Sequence, residues 1–189
     1  MPASNSCMIQ SHDTLLINNI LSGDTAGYAL LVDSYKDLAF TIAFRMLGNR
    51  EDAEEVVQDA FVKAFNGLAG FRQQARFSTW LYRIVYNTAI SRKRLKGIPQ
   101  RSLEELPAFE RTEDEPGDDE DQHIMLEKAL EKLPDDEKVL VTLYYLDESS
   151  IEDIHAITGL SKANVKIKLF RARKKLQELV TAVSVKMYS

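Results

Sequence analysis

Residues Ser149 to Leu176 read SSIEDIHAITGLSKANVKIKLFRARKKL. A short helix carrying Ile151, Ile154 and Ile157 is followed by a turn at Gly159, and Ser161 is placed to cap a longer helix through its hydroxyl. That is helix-turn-helix spacing. At about 100° per residue, Val165, Leu169, Ala172 and Leu176 gather on one side of the longer helix and should pack inward. Ala163, Ile167, Phe170 and Lys174 then lie opposite, flanked by Lys166 and Arg171. Apolar groups set among cations suit a DNA major groove. Ile167 and Phe170 are positioned for a thymine methyl or a base edge, Lys166 and Arg171 for guanine, and Lys168, Arg173 and Lys175 for phosphates on either side. The competing reading is a solvated basic helix end with Phe170 tucked against a neighbour.

On either side of this segment helical periodicity continues from His123 to about Val183, with Pro134 at a helix start, which predicts a small bundle over 123–183 and a tail over 184–189. Upstream the pattern fails. Between Gly97 and Gln122 lie Pro99, Pro107, Pro116 and Gly117, and from Glu104 to Asp121 ten acidic residues face Arg111 alone, a charge of −9. Such a stretch neither buries a face nor escapes self-repulsion, so 97–122 is read as a flexible linker. With a net charge of −5 for the whole chain, the remainder stands at +4, and this positive charge concentrates at Arg83 to Arg101 and Lys162 to Lys175. The linker is well placed to fold back and mask those basic faces.

From Asp13 to Lys96 the apolar residues again recur at helical spacing, broken by Gly48 with Asn49 and by Gly67 and Gly70, which predicts several packed helices over 13–96 and a disordered terminus over 1–12. Within it, NREDAEEVVQDAFVKAF from Asn49 buries Ala53, Val56, Val57, Ala60 and Ala64 and presents Glu51, Glu55, Gln58, Asp59 and Val62 outward. An acidic rim around an apolar residue suits a basic protein partner, although an ordinary solvated face has the same look. The segment FRQQARFSTWLYRIVYNTAISRKRLK, Phe71 to Lys96, combines Phe71, Phe77, Trp80, Tyr82 and Tyr86 with Arg72, Arg76, Arg83, Arg92, Lys93 and Arg94, and contains no acidic residue. Aromatic faces stack on unpaired bases while cations follow the phosphates. Gln73 and Gln74, in the loop before Ser78, carry amides suited to the edge of an extruded base. Leu81, Ile84 and Val85 belong to the core, and some of the aromatics with them.

The overall composition agrees with an all-α protein of two small helical domains. Its 189 residues are 44% hydrophobic and 28% charged, with eight glycines and five prolines, too few for the many turns of a β-sandwich. Cys7 stands alone, which excludes a disulfide framework and leaves a redox role without a partner thiol. The first residues lack the basic start of a secretory signal, no apolar run is long enough to span a membrane, and a cytoplasmic protein is expected. His12, His123 and His155 have no ligand spacing, and no phosphate-binding glycine loop or nucleophile elbow is present. No enzyme activity, metal or cofactor is expected.

Three motifs in this order, two modules and an acidic linker resemble the extracytoplasmic-function sigma factors of bacterial RNA polymerase. DAEEVVQDAFVKAF is similar to the family's core-polymerase-binding helix, FSTWLYRIVYNTAISRKR to its promoter-melting and minus-ten helix, and LSKANVKIKLFRARKKL to its minus-thirty-five helix. The resemblance implies that Glu55, Gln58, Asp59 and Val62 meet the polymerase clamp. It also implies that the loop from Gly70 to Phe77 captures a flipped non-template base, with Arg72, Gln73, Gln74, Arg76, Ser78 and Trp80 around it. Arg83, Asn87, Arg92, Lys93 and Arg94 would hold the melted strand. Lys166, Ile167, Phe170 and Arg171, with Ser161, Lys162, Asn164, Lys168 and Lys174, would read and grip the upstream element. The implied partners are core RNA polymerase, promoter DNA both duplex and melted, and an anti-sigma factor, a common partner in the family; direct membrane insertion is not implied. Many relatives carry Gly-Thr-Val-Lys-Ser-Arg at the recognition turn where this chain has Ala163, Asn164, Val165, Lys166, Ile167 and Lys168, so no promoter sequence carries over. Two rival readings are a helix-turn-helix repressor acting on duplex DNA without polymerase, and a helical adaptor working through the acidic helix.

Overall fold

In the computed structural model, residues 3–97 and 126–187 are described, with side chains over 12–97 and 126–179. The described elements are all helical. They are α1 (Ala3–Leu21), α2 (Gly27–Leu47), α3 (Arg50–Gly67), a 3-10 turn (Leu68–Gly70) and α4 (Phe77–Leu95), then α5 over 126–131, α6 (Asp135–Tyr145), α7 (Ile151–Thr158) and α8 (Lys162–Met187). Apart from Gly97, the linker at 97–122 lies outside the described residues.

Local chemistry sets the helix ends. Gly48 closes α2 in the left-handed region at φ 66°, a conformation that costs a residue with a Cβ, and its N–H reaches Phe44 O. Asn49 then caps α3 by accepting from the Asp52 amide at 2.9 Å. The bend is tight enough to lay α3 back along α2. Pro134 precedes α6, whose first turn holds Asp135, Asp136 and Glu137 at the positive end of the helix dipole. In α7, Ser150 and Asp153 form a reciprocal capping box, and Gly159 ends the helix at φ 75°.

Alanines on the inner stripe of α3 (Ala53, Ala60 and Ala64, all fully buried) let it approach α2 and α4 closely, and Val56, Ile42, Leu31, Leu81 and Val85 fill the space between. In the second module Leu140 and Leu143 of α6 pack on Ile154 and Ile157 of α7 and on Val165, Leu169 and Ala172 of α8. These α8 residues are the inward set that the sequence predicts.

Two observations depart from the expected layout. α1 begins at Ala3, inside the segment assigned to a disordered terminus, and α8 runs to Met187, past the expected end at 183. Ile17 and Ile20 seat α1 in the core, and a helix anchored at one end extends at little cost per residue. The other finding concerns the modules themselves. Read from sequence as separate bundles on a flexible tether, they pack together, α4 against α7 and α2 against α6, and their buried residues form a single cluster.

Leu140→Ala should lower unfolding free energy by about 2–5 kcal/mol, because the fully buried side chain leaves a cavity that helices on both sides cannot close. Leu146→Ala, at a position 66% exposed, should change it by less than about 0.5 kcal/mol. Urea titrations followed by circular dichroism check both.

Candidate nucleic-acid interface

The second helix of the helix-turn-helix, α8, follows a braced turn. The Asn164 amide donates to Ser161 Oγ at 3.3 Å, and His155 Nδ1 lies 2.6 Å from Leu160 O, bracing the turn between α7 and α8. Lys166, Ile167, Phe170, Arg171 and Lys174 are exposed on one side of α8, with Phe170 at 66% and Ile167 at 48%. Phe170 and Ile167 thus stand as an exposed apolar pair beside three cations, Lys166, Arg171 and Lys174. Asn164 and Lys162 are also exposed, the latter paired with Glu152 at 2.8 Å. Lys168 differs. It is half-buried and reaches Asp136 of α6 at 2.5 Å, so it ties α8 to its own module. Helical phase alone places Lys168 near the phosphates, but α6 supplies a closer anion.

On α3, Glu55, Gln58, Asp59 and Val62 are all exposed, Val62 at 60%. Their neighbour Asp52 is buried and is the ionic node between α3 and the end of α4. Lys96 meets it at 2.6 Å and Arg92 at 3.6 Å, while Arg92 also binds Glu55 at 2.5 Å. Arg92, expected to hold a melted strand, therefore faces α3.

The remaining residues expected to face a strand separate by depth. Phe77, Tyr82 and Tyr86 are buried core. Ser78, expected at the surface, is buried beneath the start of α4. Phe71 and Trp80 are half-buried with ring centroids 5.1 Å apart, leaving these two as the available aromatic surface beside the loop. Gly67 sits under the indole: a Cβ there would lie 3.4 Å from Trp80 Cζ2. Arg83, Asn87 and Arg94, four and seven residues apart, share one exposed face of α4.

Arg72, Gln73 and Gln74 are exposed in the loop, and Gln73 adopts a left-handed φ of 54°. Non-glycine residues there carry strain, a feature concentrated at binding sites. Gln73 Nε2 donates to Asn18 Oδ1 of α1 at 3.3 Å. Together α1, the loop and the start of α7 form an open cleft of about 460 Å³ lined by Asp13, Ile17, Phe71, Gln73, Gln74, Arg76 and Asp153, among others. The sequence reading assigned α1 no part in this site. Asp13 is buried and accepts from the Tyr35 hydroxyl; burial raises its carboxyl above the usual range, and that hydrogen bond only partly offsets the effect.

Arg76 and Lys93 point toward the second module. Arg76 Nη2 lies 2.9 Å from Asp153 and 4.0 Å from Asp147, Thr79 Oγ1 donates to Asp153 at 2.9 Å, and Lys93 meets Asp135 at 2.5 Å. Burial pushes the Asp153 carboxyl upward, but hydrogen bonds from Ser150 and Thr79 and the Arg76 charge together hold it below the usual range. For Asp147 burial prevails and the carboxyl is raised, its bond from Ser149 and the Arg76 charge being insufficient. Away from these residues Arg45 of α2 makes two hydrogen bonds to Glu127 of α5, at 2.7 and 2.6 Å, while its own buried Nε has no hydrogen-bond partner. Among the described residues no cluster of His, Cys, Asp and Glu could hold a metal, and no helix is long and apolar enough to cross a membrane.

Comparison with known proteins agrees with this layout. Residues 31–97 match the Sigma-70 region 2 family model and residues 123–176 the Sigma-70 region 4 model. The chain is 32% identical over 174 residues to the extracytoplasmic-function (ECF) RNA polymerase sigma factor SigW of Bacillus subtilis, covering 86% of this chain and 93% of that one. It is 32% identical over 184 residues to the ECF RNA polymerase sigma-E factor of Escherichia coli, covering 90% and 95% respectively. Among solved structures it resembles the sigma factor RpoE of Bartonella quintana, determined with the anti-sigma factor NepR, with a TM-score of 0.64 and 25% identity over 82% of this chain and 96% of that one. The protein belongs to the extracytoplasmic-function family of RNA polymerase sigma factors.

Lys168→Ala should lower stability by about 0.5–1 kcal/mol, the range for a partly exposed ion pair, whereas Arg171→Ala should leave the melting temperature unchanged and weaken binding to duplex DNA. Thermal melts paired with anisotropy titrations at fixed salt separate the two effects.

Proposed function

We propose that this sigma factor joins core RNA polymerase to promoters through three surfaces, on α3, on the loop 70–77 with α4, and on α8. The exposed set Glu55, Gln58, Asp59 and Val62 on α3 docks on the polymerase, its acidic charge steering encounter and Val62 adding apolar contact. The loop 70–77 receives an extruded base beside Phe71 and Trp80, while Arg83, Asn87 and Arg94 follow the melted strand. Arg72, Gln73, Gln74 and Arg76 complete the loop, and Lys93 joins the strand-facing set. On α8, Lys166, Ile167, Phe170 and Arg171 enter the major groove of the upstream element.

The domain division that serves this reading is 13–96 for polymerase and minus-ten contacts, 97–122 as tether and 123–183 for the minus-thirty-five contact. Few cations lie on either DNA face, so each grip alone is weak and salt-sensitive. Linkage through the tether and the polymerase raises the effective concentration of the second contact once the first has formed. The protein carries out no bond-making step itself and works in the cytoplasm with the polymerase; an anti-sigma factor, as in the Bartonella quintana complex, is a fitting regulator.

The observation that carries this reading is the exposed Phe170 and Ile167 among cations on the second helix of a helix-turn-helix, within a chain that also presents the acidic α3 face. A repressor would need the first without the second.

Run-off transcription with core polymerase over a promoter library tests it. The wild type should support initiation, Asp59→Arg should reduce it at least about tenfold through lost core binding, and Arg171→Ala should shift promoter preference in the upstream element. No initiation from any promoter with folded protein and active core would overturn the reading.

A further inference from the structure

α1 bears none of the residues assigned a contact above, yet it meets the loop 70–77. Positions 14, 17 and 18, three and four apart, share one face of this helix. Thr14 and Ile17 line the cleft beside the loop, and the exposed Asn18 Oδ1 accepts from Gln73 Nε2 at 3.3 Å. The helix that carries this acceptor is firmly seated. Ile17 and Ile20 are buried, and the Tyr35 hydroxyl donates to the buried Asp13. Gly27 brings the start of α2 so near that a Cβ there would lie 3.3 Å from Leu16 Cδ2. The loop is constrained at the same point, since Gln73 sits at a φ of 54°, a conformation that a non-glycine residue keeps only where its surroundings hold it.

We propose that Asn18 is a positioning residue for base selection. By fixing the polarity of the Gln73 amide, it makes the loop favour an extruded cytosine or adenine, which carry an amino group where thymine and guanine carry a carbonyl. The inference rests on the reading of the loop as the site of base capture. A glutamine amide has two hydrogens on Nε2 and acceptor lone pairs on Oε1. These atoms occupy opposite branches of one plane, so holding Nε2 on Asn18 turns Oε1 away from α1. The terminal torsion of glutamine is broad and roughly two-fold, and an unheld amide would offer its N–H as readily as its carbonyl. Held, it offers the carbonyl first. That oxygen accepts from cytosine N4 or adenine N6 and is repelled by thymine O4 or guanine O6. A side chain ordered before the base arrives also loses less rotamer freedom on binding. Because Asn18 lies at the surface, its effect on base choice is separable from the stability of the fold.

Run-off transcription with the full-length protein and core polymerase, from a library randomised across the minus-ten element, reads the base ratio at each position. Ratios cancel any uniform change in DNA affinity that a variant brings. At one position the wild type should favour cytosine and adenine about tenfold over thymine and guanine. Gln73→Gly, which the backbone angle accommodates, should abolish that preference. Asn18→Leu should lower it to about threefold or less, while Asn18→Asp, which keeps the acceptor, should retain it. Asn18→Leu added to Gln73→Gly should change nothing further, as expected for two residues acting through one contact. Preferences in the upstream element should stay as in the wild type throughout.

Preference retained in Asn18→Leu but abolished in Gln73→Gly would overturn the proposal. So would equal loss in Asn18→Asp and Asn18→Leu, or a wild type that favours thymine or guanine at that position. If Asn18→Leu fails to fold by circular dichroism, Asn18→Ser, too short to reach Gln73, decides in its place. Failure of the base-capture reading would appear separately, as a Gln73→Gly protein whose preferences match the wild type at every position, and the proposal would fall with it.

Discussion

Asp153 serves two helices with one carboxylate. Through Ser150 it closes the capping box that starts α7, and through Arg76 and Thr79 it fixes α7 against the start of α4. The first helix of the helix-turn-helix is thus oriented by the first module. Burial alone would favour the protonated acid, but three donors, the Ser150 amide, the Ser150 hydroxyl and the Thr79 hydroxyl, together with the Arg76 guanidinium hold its carboxyl below the usual range, so the contact has the strength of a charge-assisted bond while remaining partly open to solvent. Its partners lie in separate matched regions, 31–97 and 123–176, so the contact couples two regions that the chain joins only through a long linker.

The junction as a whole is mixed in character. Apolar residues from both modules form a continuous cluster, but the pairs that orient it, Arg76 with Asp153, Lys93 with Asp135 and Arg45 with Glu127, are ionic. Interfaces of this kind separate without exposing a large uniform apolar face, which fits relative domain motion better than a permanent core. Arg45 shows the accompanying cost: its Nε is buried without a hydrogen-bond partner, and an unpaired buried donor costs about 1–3 kcal/mol.

Much of each helix was legible in the sequence because helical phase is a property of one segment. Val165, Leu169 and Ala172 face inward and Ile167 and Phe170 outward, as the 3.6-residue period dictates. The acidic face of α3 follows from the same arithmetic. What periodicity does not contain is the neighbour. Lys168 and Arg92 lie near the expected faces, yet Asp136 and Glu55, from other helices, take their charges. Ser78 is buried for a similar reason, since depth at a helix start depends on what crosses above it. The part played by α1 was invisible on different grounds. Asp13 and Asn18 flank the apolar run Leu15, Leu16 and Ile17 without forming a motif, and they matter through Tyr35 and Gln73, twenty-two and fifty-five residues away along the chain.

Gln73 extends this to variation among relatives. Its φ of 54° is a region that β-branched residues enter with difficulty, while glycine, asparagine and aspartate enter it most easily. In the proposed role this residue offers an amide to an extruded base, so the backbone filters which side chains can be tried there before any base is met. Short side chains with polar ends pass that filter and branched apolar ones do not. Diversification of base preference at this corner would then run through a small set of hydrogen-bonding residues, exchanged without rebuilding the loop.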